Sequence, residues 1–143
     1  MERIARDELY KEIAQLVSKR GTCPKLQVGA VFTLDGRIVC TGYNGAPSGM
    51  PHCTEVGCQE DSDHHCTTAL HAEASAISYA ARKGISLEGS TCYLTVDPCH
   101  SCAKLLINAG IKKVVIMSEY NGKHNGYRTL LYAGIEVVRD GLH

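Results

Sequence analysis

The chain of 143 residues, 44% of them apolar, has room for one hydrophobic core and is expected to form a single domain spanning residues 1–143. Fifteen basic residues balance fifteen acidic ones, which excludes the positive face needed to track along a polynucleotide and favours a small ligand. No apolar run reaches membrane-spanning length and residues 1–8 mix charges of both signs, so neither a secretory signal nor a membrane anchor is expected; the eight cysteines are read as reduced, cytoplasmic and metal-binding rather than disulfide-bonded.

Over residues 4–20, Leu9, Ile13, Leu16 and Val17 recur at helical spacing, which predicts an amphipathic first helix stopped by Gly21. Apolar runs at 28–33 and 37–41 flank Asp35-Gly36, a hairpin signal that predicts two antiparallel strands. Residues 52–66 are polar, rich in cysteine and histidine, and without period; so long a structureless stretch inside a compact domain needs something to hold it. Thr67 or Thr68 is placed to cap a second helix that runs through His71, Glu73, Ala76, Ile77 and Ala80 to Gly84, and its alanines suggest close packing on a sheet. A strand over 91–96, a helix over 99–109 ended by Gly110, an apolar strand over 114–117, a helix over 127–133 ended by Gly134 and a strand over 135–139 complete the chain. The order α-β-β-α-β-α-β-α-β predicts a three-layer α/β/α domain around one five-stranded mixed sheet, with right-handed crossovers between the later strands.

The chemistry concentrates at His71-Ala72-Glu73 and Pro98-Cys99-His100-Ser101-Cys102. One imidazole and two thiolates are three soft ligands for zinc, and a tetrahedral ion held by three protein groups keeps a fourth position for water. Glu73, two positions beyond His71, is placed to move protons on that water. Cys99 and Cys102 share one face at a helix start, where the dipole favours thiolate. A structural zinc would usually recruit a fourth Cys or His, and here a carboxylate stands beside the histidine instead. His100 reads as a neighbour of the site rather than a ligand. The pair of motifs is similar to the H-x-E and P-C-x-x-C signature of zinc nucleobase deaminases.

Cys53, Cys58, His64, His65 and Cys66 crowd the 52–66 loop, with Cys23 in the loop before it. A second, closed zinc would clamp this segment and lower the entropy cost of ordering it. Cys40 and Cys92 lie in strands and read as core residues. Lys25 and Arg82 are candidates to meet a phosphate, although a solvated helix end accounts for Arg82 equally well. The segment Asn121-Gly122-Lys123-His124 reads as a mobile turn or a flap over substrate.

HAE at 71–73, TVDPCHSC at 95–102, VGAV at 28–31, GYNG at 42–45 followed by Ser48-Gly49, and SEY at 118–120 together resemble deoxycytidylate (dCMP) deaminases of the bacterial and phage type, over nearly all of residues 23–120. The resemblance implies a cytidine deaminase-like fold and zinc-dependent conversion of dCMP to dUMP and ammonia, which supplies the dTMP precursor. It implies a catalytic zinc on His71, Cys99 and Cys102 with Glu73 as proton shuttle. It places Asn44 at the deoxyribose, Tyr120 beside the base and Ala72 in the substrate site. For a second zinc it implies Cys23 and Cys53, joined by Cys58 and Cys66, with His65 as substitute. It further implies a cytoplasmic homohexamer, activated by dCTP and inhibited by dTTP with Mg2+, at an intersubunit site near Tyr43, Gly45 and Arg82. Relatives commonly carry Asn where this chain has Ser75, which leaves regulation or substrate choice open. Other deaminases on the same fold, acting on dCTP, 5-substituted dCMP or cytidine, and a non-catalytic zinc-stabilised nucleotide-binding module are the rival readings.

Overall fold

The computed structural model describes residues 1–140. Its elements run α1 (Arg6–Ser18), β1 (Gly29–Leu34), β2 (Arg37–Tyr43), α2 (Cys53–Val56), α3 (Ala72–Lys83), β3 (Thr91–Leu94), α4 (His100–Asn108), β4 (Lys113–Ile116), α5 (Tyr127–Tyr132) and β5 (Glu136–Arg139). The five strands form one sheet in the order β2-β1-β3-β4-β5. β1 pairs antiparallel with β2 and β3, whereas β3, β4 and β5 are parallel, so the sheet is mixed as expected. The β1–β2 turn is made by Asp35 and Gly36, with φ of 52° and 75°, the left-handed pair that matches strand twist in a two-residue hairpin.

Strand alternation divides the core in two. Ala30, Phe32, Cys92, Leu94, Val114 and Ile116 face Ala72, Ala76 and Ala80 of α3, Ala103 and Leu106 of α4, and Leu130 of α5. On the opposite face Val31, Tyr93 and Val115 meet Tyr10 and Ala14 of α1. Three helices therefore cover one side of the sheet and α1 covers the other, which is the three-layer arrangement. Both crossovers, β3-α4-β4 and β4-α5-β5, put their helices on the same side. Tyr93 fixes the lone helix by donating its hydroxyl to Asp7, 2.5 Å away, and Tyr10 donates to the carbonyl of Gly36 at 2.7 Å. No helix of the described residues is long and apolar enough to cross a membrane.

Besides shifts of one or two residues at several strand and helix ends, two features differ from the expected ones, for physical reasons. α3 begins at Ala72 with His71 as its N-cap, not at a Thr67 or Thr68 cap, because Leu70 is pulled into a two-way backbone bridge with Gly45 that holds the chain extended until His71. Residues 53–56 form a single helical turn inside the aperiodic loop, closed at its start by the His52 N–H donating to the Glu55 carboxylate at 3.2 Å. One turn is too short to produce a periodic signal.

Phe32 is fully buried at the centre of the three-helix side. Phe32→Ala is expected to lower the free energy of unfolding by about 3–5 kcal/mol, read as a shift of the urea midpoint; a change under about 1 kcal/mol would mean that this layer is not the main core.

Candidate metal centre

Two helix starts converge on one point. His71 caps α3 and Cys99 caps α4, both in extended conformation, with ψ of 154° and 170°. Their own carbonyls accept the first helical bonds, from Ser75 N–H at 2.9 Å and Ala103 N–H at 2.8 Å, so each side chain is anchored to the rigid end of a helix. The imidazole Nδ1 of His71 lies 3.4 Å from Cys99 Sγ and 3.4 Å from Cys102 Sγ. Bonds of about 2.3 Å to sulfur and about 2.0 Å to nitrogen place tetrahedral ligand atoms roughly 3.5–3.8 Å apart, so this donor set fits one zinc. The hydrogen bond from the Cys102 thiol, with help from His71, holds Cys99 far down as a thiolate near pKa 3. The same bond and then burial push Cys102 well up. The bond to Cys99 raises His71.

Close packing aims α3. Gly42 of β2 faces the first turn of α3, and a Cβ there would come within 2.3 Å of the Ala72 carbonyl, so only glycine lets the helix start lie this close to the strand. Ala72 is fully buried at that contact. Glu73, 4% exposed, is carried inward with it, and burial pushes its carboxyl up to about 7 against the pull of its own backbone N–H and of His71. His100 turns away from the sulfurs and pairs with Thr129 Oγ1 of α5 at 3.0 Å.

The other cysteines gather as well. Ligand atoms of Cys23, Cys58 and Cys66 lie within 4.8 Å of one another, and Cys53 Sγ is 3.4 Å from Cys66 Sγ. Four thiols from 23, 53, 58 and 66 thus meet, the donor set of a closed structural zinc. Their charge is shared unevenly: burial opposes it, yet bonds from the Cys58 thiol and the Ala69 amide bring Cys66 to about 7, while the bond to Cys66 pushes Cys58 up to about 12. His65 does not join them. Its ring sits edge-on to His124, 5.0 Å between centroids, with Nδ1 4.0 Å from Asp61.

The remaining sequence candidates are placed as follows. Asn44 is buried, its Oδ1 accepting from Val28 N–H at 2.8 Å and its Nδ2 donating to the Leu26 carbonyl at 2.6 Å. Gly45 is buried beside it, and Tyr43 is half-buried with the Arg20 guanidinium 5.8 Å from its ring. Tyr120 is half-buried and folds its ring over Gly122. Arg82 is exposed in the last turn of α3, with Ser75 half-buried two turns before it. Lys25 is committed to the Glu60 carboxylate at 2.9 Å and to the His64 carbonyl.

Sequence reasoning gave no role to Asp97, which is buried and ties the site together. Its carboxylate accepts from Arg139 at 2.8 and 3.2 Å, from Asn125 Nδ2 at 2.8 Å and from the Tyr120 amide at 3.0 Å. The loop it captures runs along the Cys99 segment, with Gly126 N–H on the Pro98 carbonyl and His100 N–H on that of His124. An acid at the end of an apolar strand and just before Pro-Cys is the only sequence signal of this role. Arg139 and Asn125, 42 and 28 residues away, carry none.

Comparison with known proteins places this arrangement. Residues 4–118 match the cytidine and deoxycytidylate deaminase zinc-binding region. The chain is 35% identical over 164 aligned positions to the deoxycytidylate deaminase of Enterobacteria phage T2, covering 88% of this chain and 87% of that protein. It is 36% identical over 137 positions to ComE operon protein 2 of Bacillus subtilis, covering 96% and 72%. The crystal structure of the dCMP deaminase from cyanophage S-TIM5 in complex with dCMP and dUMP superposes with a TM-score of 0.83 at 33% identity, over 97% of this chain and 99% of that one.

Because burial raises the Glu73 carboxyl from 4.5 to about 7, the folded state prefers it protonated. The corresponding stability is full below about pH 4.5 and is lost as pH rises through about 7. Metal-free Glu73→Gln, which does not titrate, is therefore expected to gain about 3 kcal/mol on the metal-free parent between pH 4.5 and 8. Urea unfolding at both pH values checks this, and an equal difference at the two would contradict the burial of an ionisable carboxyl.

Proposed function

The chain belongs to the cytidine and deoxycytidylate deaminase family, and we propose that it hydrolyses the 4-amino group of dCMP to give dUMP and ammonia. The observation that carries this reading is the buried Glu73 beside a His-Cys-Cys donor set, in a chain that superposes over almost its whole length on an enzyme bound to dCMP and dUMP. Zinc on His71, Cys99 and Cys102 would supply a Lewis acid that brings the pKa of a coordinated water to about 7. Glu73 takes the proton of the water whose oxygen adds to carbon 4 and hands it to the neighbouring ring nitrogen; it then carries the proton of the added hydroxyl to the amine, so that the C–N bond breaks, ammonia leaves and the uracil carbonyl remains. Burial raises that carboxyl from its ordinary range and so makes it a better base for that proton.

Asn44 is read as the deoxyribose contact. Its two loop bonds use one lone pair and one N–H, which leaves one acceptor and one donor for a sugar hydroxyl without freeing the side chain. Tyr120 is read as the aromatic beside the base and Ala72 as part of the substrate site, both on the strength of the resemblance. We assign a structural zinc to Cys23, Cys53, Cys58 and Cys66, supported by the four converging thiols; it would brace a segment that has only one helical turn of its own. Regulation by dCTP and dTTP with Mg2+ near Tyr43, Gly45 and Arg82, assembly as a homohexamer, a cytoplasmic location and supply of the dTMP precursor belong to the same reading and rest on the resemblance.

Ammonia release across dCMP, dCTP, 5-methyl-dCMP, deoxycytidine and cytidine, with and without dCTP plus Mg2+, tests the assignment. dCMP is expected to be the best substrate, with turnover that rises with dCTP; selective turnover of a nucleoside would replace the nucleotide reading. Glu73→Gln is expected to keep its zinc and lose turnover by about 10³-fold or more, and retention of most of the activity would remove Glu73 from the mechanism. Metal analysis of the purified protein is expected to find two zinc ions per chain, falling to one in Cys58→Ser/Cys66→Ser; one in the parent would remove the structural site.

A further inference from the structure

Thr22 and His52 have no part in the site described so far, and each stands one residue before a cysteine of the four-thiol cluster. They bond to each other, Thr22 Oγ1 to His52 Nδ1 at 2.9 Å. The direction follows from a second contact on the same nitrogen, the Ala46 backbone N–H at 3.1 Å. A backbone N–H can only donate, so Nδ1 is the acceptor, the ring proton sits on Nε2, and the threonine hydroxyl donates. Thr22 also grips the same loop through its own N–H, on the Asn44 carbonyl at 2.9 Å.

The gripped loop leads to the catalytic centre. Gly45, between the two held residues, exchanges backbone bonds with Leu70 in both directions, at 2.8 and 3.2 Å. Leu70 is the residue before His71. Side-chain size is limited here: a Cβ on Gly45 would stand 3.2 Å from Thr22 Oγ1 and 3.4 Å from the His52 ring. His71 is thus fixed downstream by the first turn of α3 and upstream by this bridge.

We propose that Thr22 and His52 are positioning residues for His71, relaying the order of the four-thiol cluster through the Gly45–Leu70 bridge to the metal-binding imidazole. The proposal rests on the zinc-centre reading given above. Groups that orient a metal ligand from outside the coordination sphere typically carry about 10–100-fold of metal affinity or activity. The side chain of Asn44 is held separately by Leu26 and Val28, so losing the Thr22–His52 side-chain bond acts on the metal ligand before it acts on the sugar contact.

The test uses the full-length, zinc-loaded protein and four substitutions. Thr22→Val removes the hydroxyl and Thr22→Ser keeps it. His52→Asn keeps an acceptor at the Nδ1 position, and His52→Gln moves it one bond further out. Zinc release to a chromophoric chelator is followed, with the catalytic phase identified as the one missing from Cys102→Ala, together with kcat and KM for dCMP. Thr22→Val and His52→Gln are expected to release catalytic zinc about tenfold faster and to lose about tenfold in kcat with KM within about twofold, while Thr22→Ser and His52→Asn stay close to the parent. Equal behaviour of Thr22→Val and Thr22→Ser, or a raised KM with catalytic zinc release unchanged, would overturn the relay. If the parent fails to turn over dCMP, the substrate assignment falls, and the zinc-release comparison still decides the relay by itself.

Discussion

The site depends on two places where extended chain turns directly into helix. At His71 and at Cys99 the backbone stays extended for one residue too long to be helical, and each side chain is held at a helix end rather than on a helix flank. The 3.4 Å separations between His71 Nδ1 and the two sulfurs follow from where α3 and α4 start. Those starts are set by packing: Gly42 admits the first turn of α3 against β2, and Gly126 donates to the Pro98 carbonyl beside Cys99. A ligand triad built this way moves only if a helix moves.

The sheet explains why both starts lie at the same end. β2 and β3 both run antiparallel to β1 and so end on the same side, toward α3 and α4, and β3 and β4 are parallel, so the loop leaving β4 emerges there too, beyond the strands' carboxyl ends, where sites in such sheets form. Asp97 exploits that adjacency. Its carboxylate binds donors from the β4–α5 loop and from β5, so one buried charge fixes the wall beside Cys99. Burial of an aspartate is tolerable here because four donors and the Arg139 charge satisfy it.

Glu73 sits in the same frame under the opposite condition. It is as buried as Asp97 and has no cation of comparable closeness among the described residues, so its carboxyl rises to about 7. Two acids with equal burial thus sit in different surroundings, Asp97 among four donors and Glu73 raised by its burial.

The architecture was legible because it rests on local signals: Asp35-Gly36 for the hairpin, the alanine stripe of α3, the all-apolar β4 and the glycines that end helices. The His-x-Glu and Pro-Cys-x-x-Cys pair was legible because ligand chemistry limits which residues can stand there. Single-turn α2 was not, because one turn carries no period, nor were the cap at His71 and the roles of Asp97, Thr22 and His52, because these depend on contacts between residues 23 to 42 positions apart. Sequence alone thus determined the class of chemistry and the layering of the fold, which follow from residue type and periodicity. Tertiary structure alone decided where helix α3 begins, that Cys66 meets the other thiols while its alternative His65 turns to His124, and which donors gather on buried Asp97, because those outcomes depend on distances between segments that no local pattern encodes.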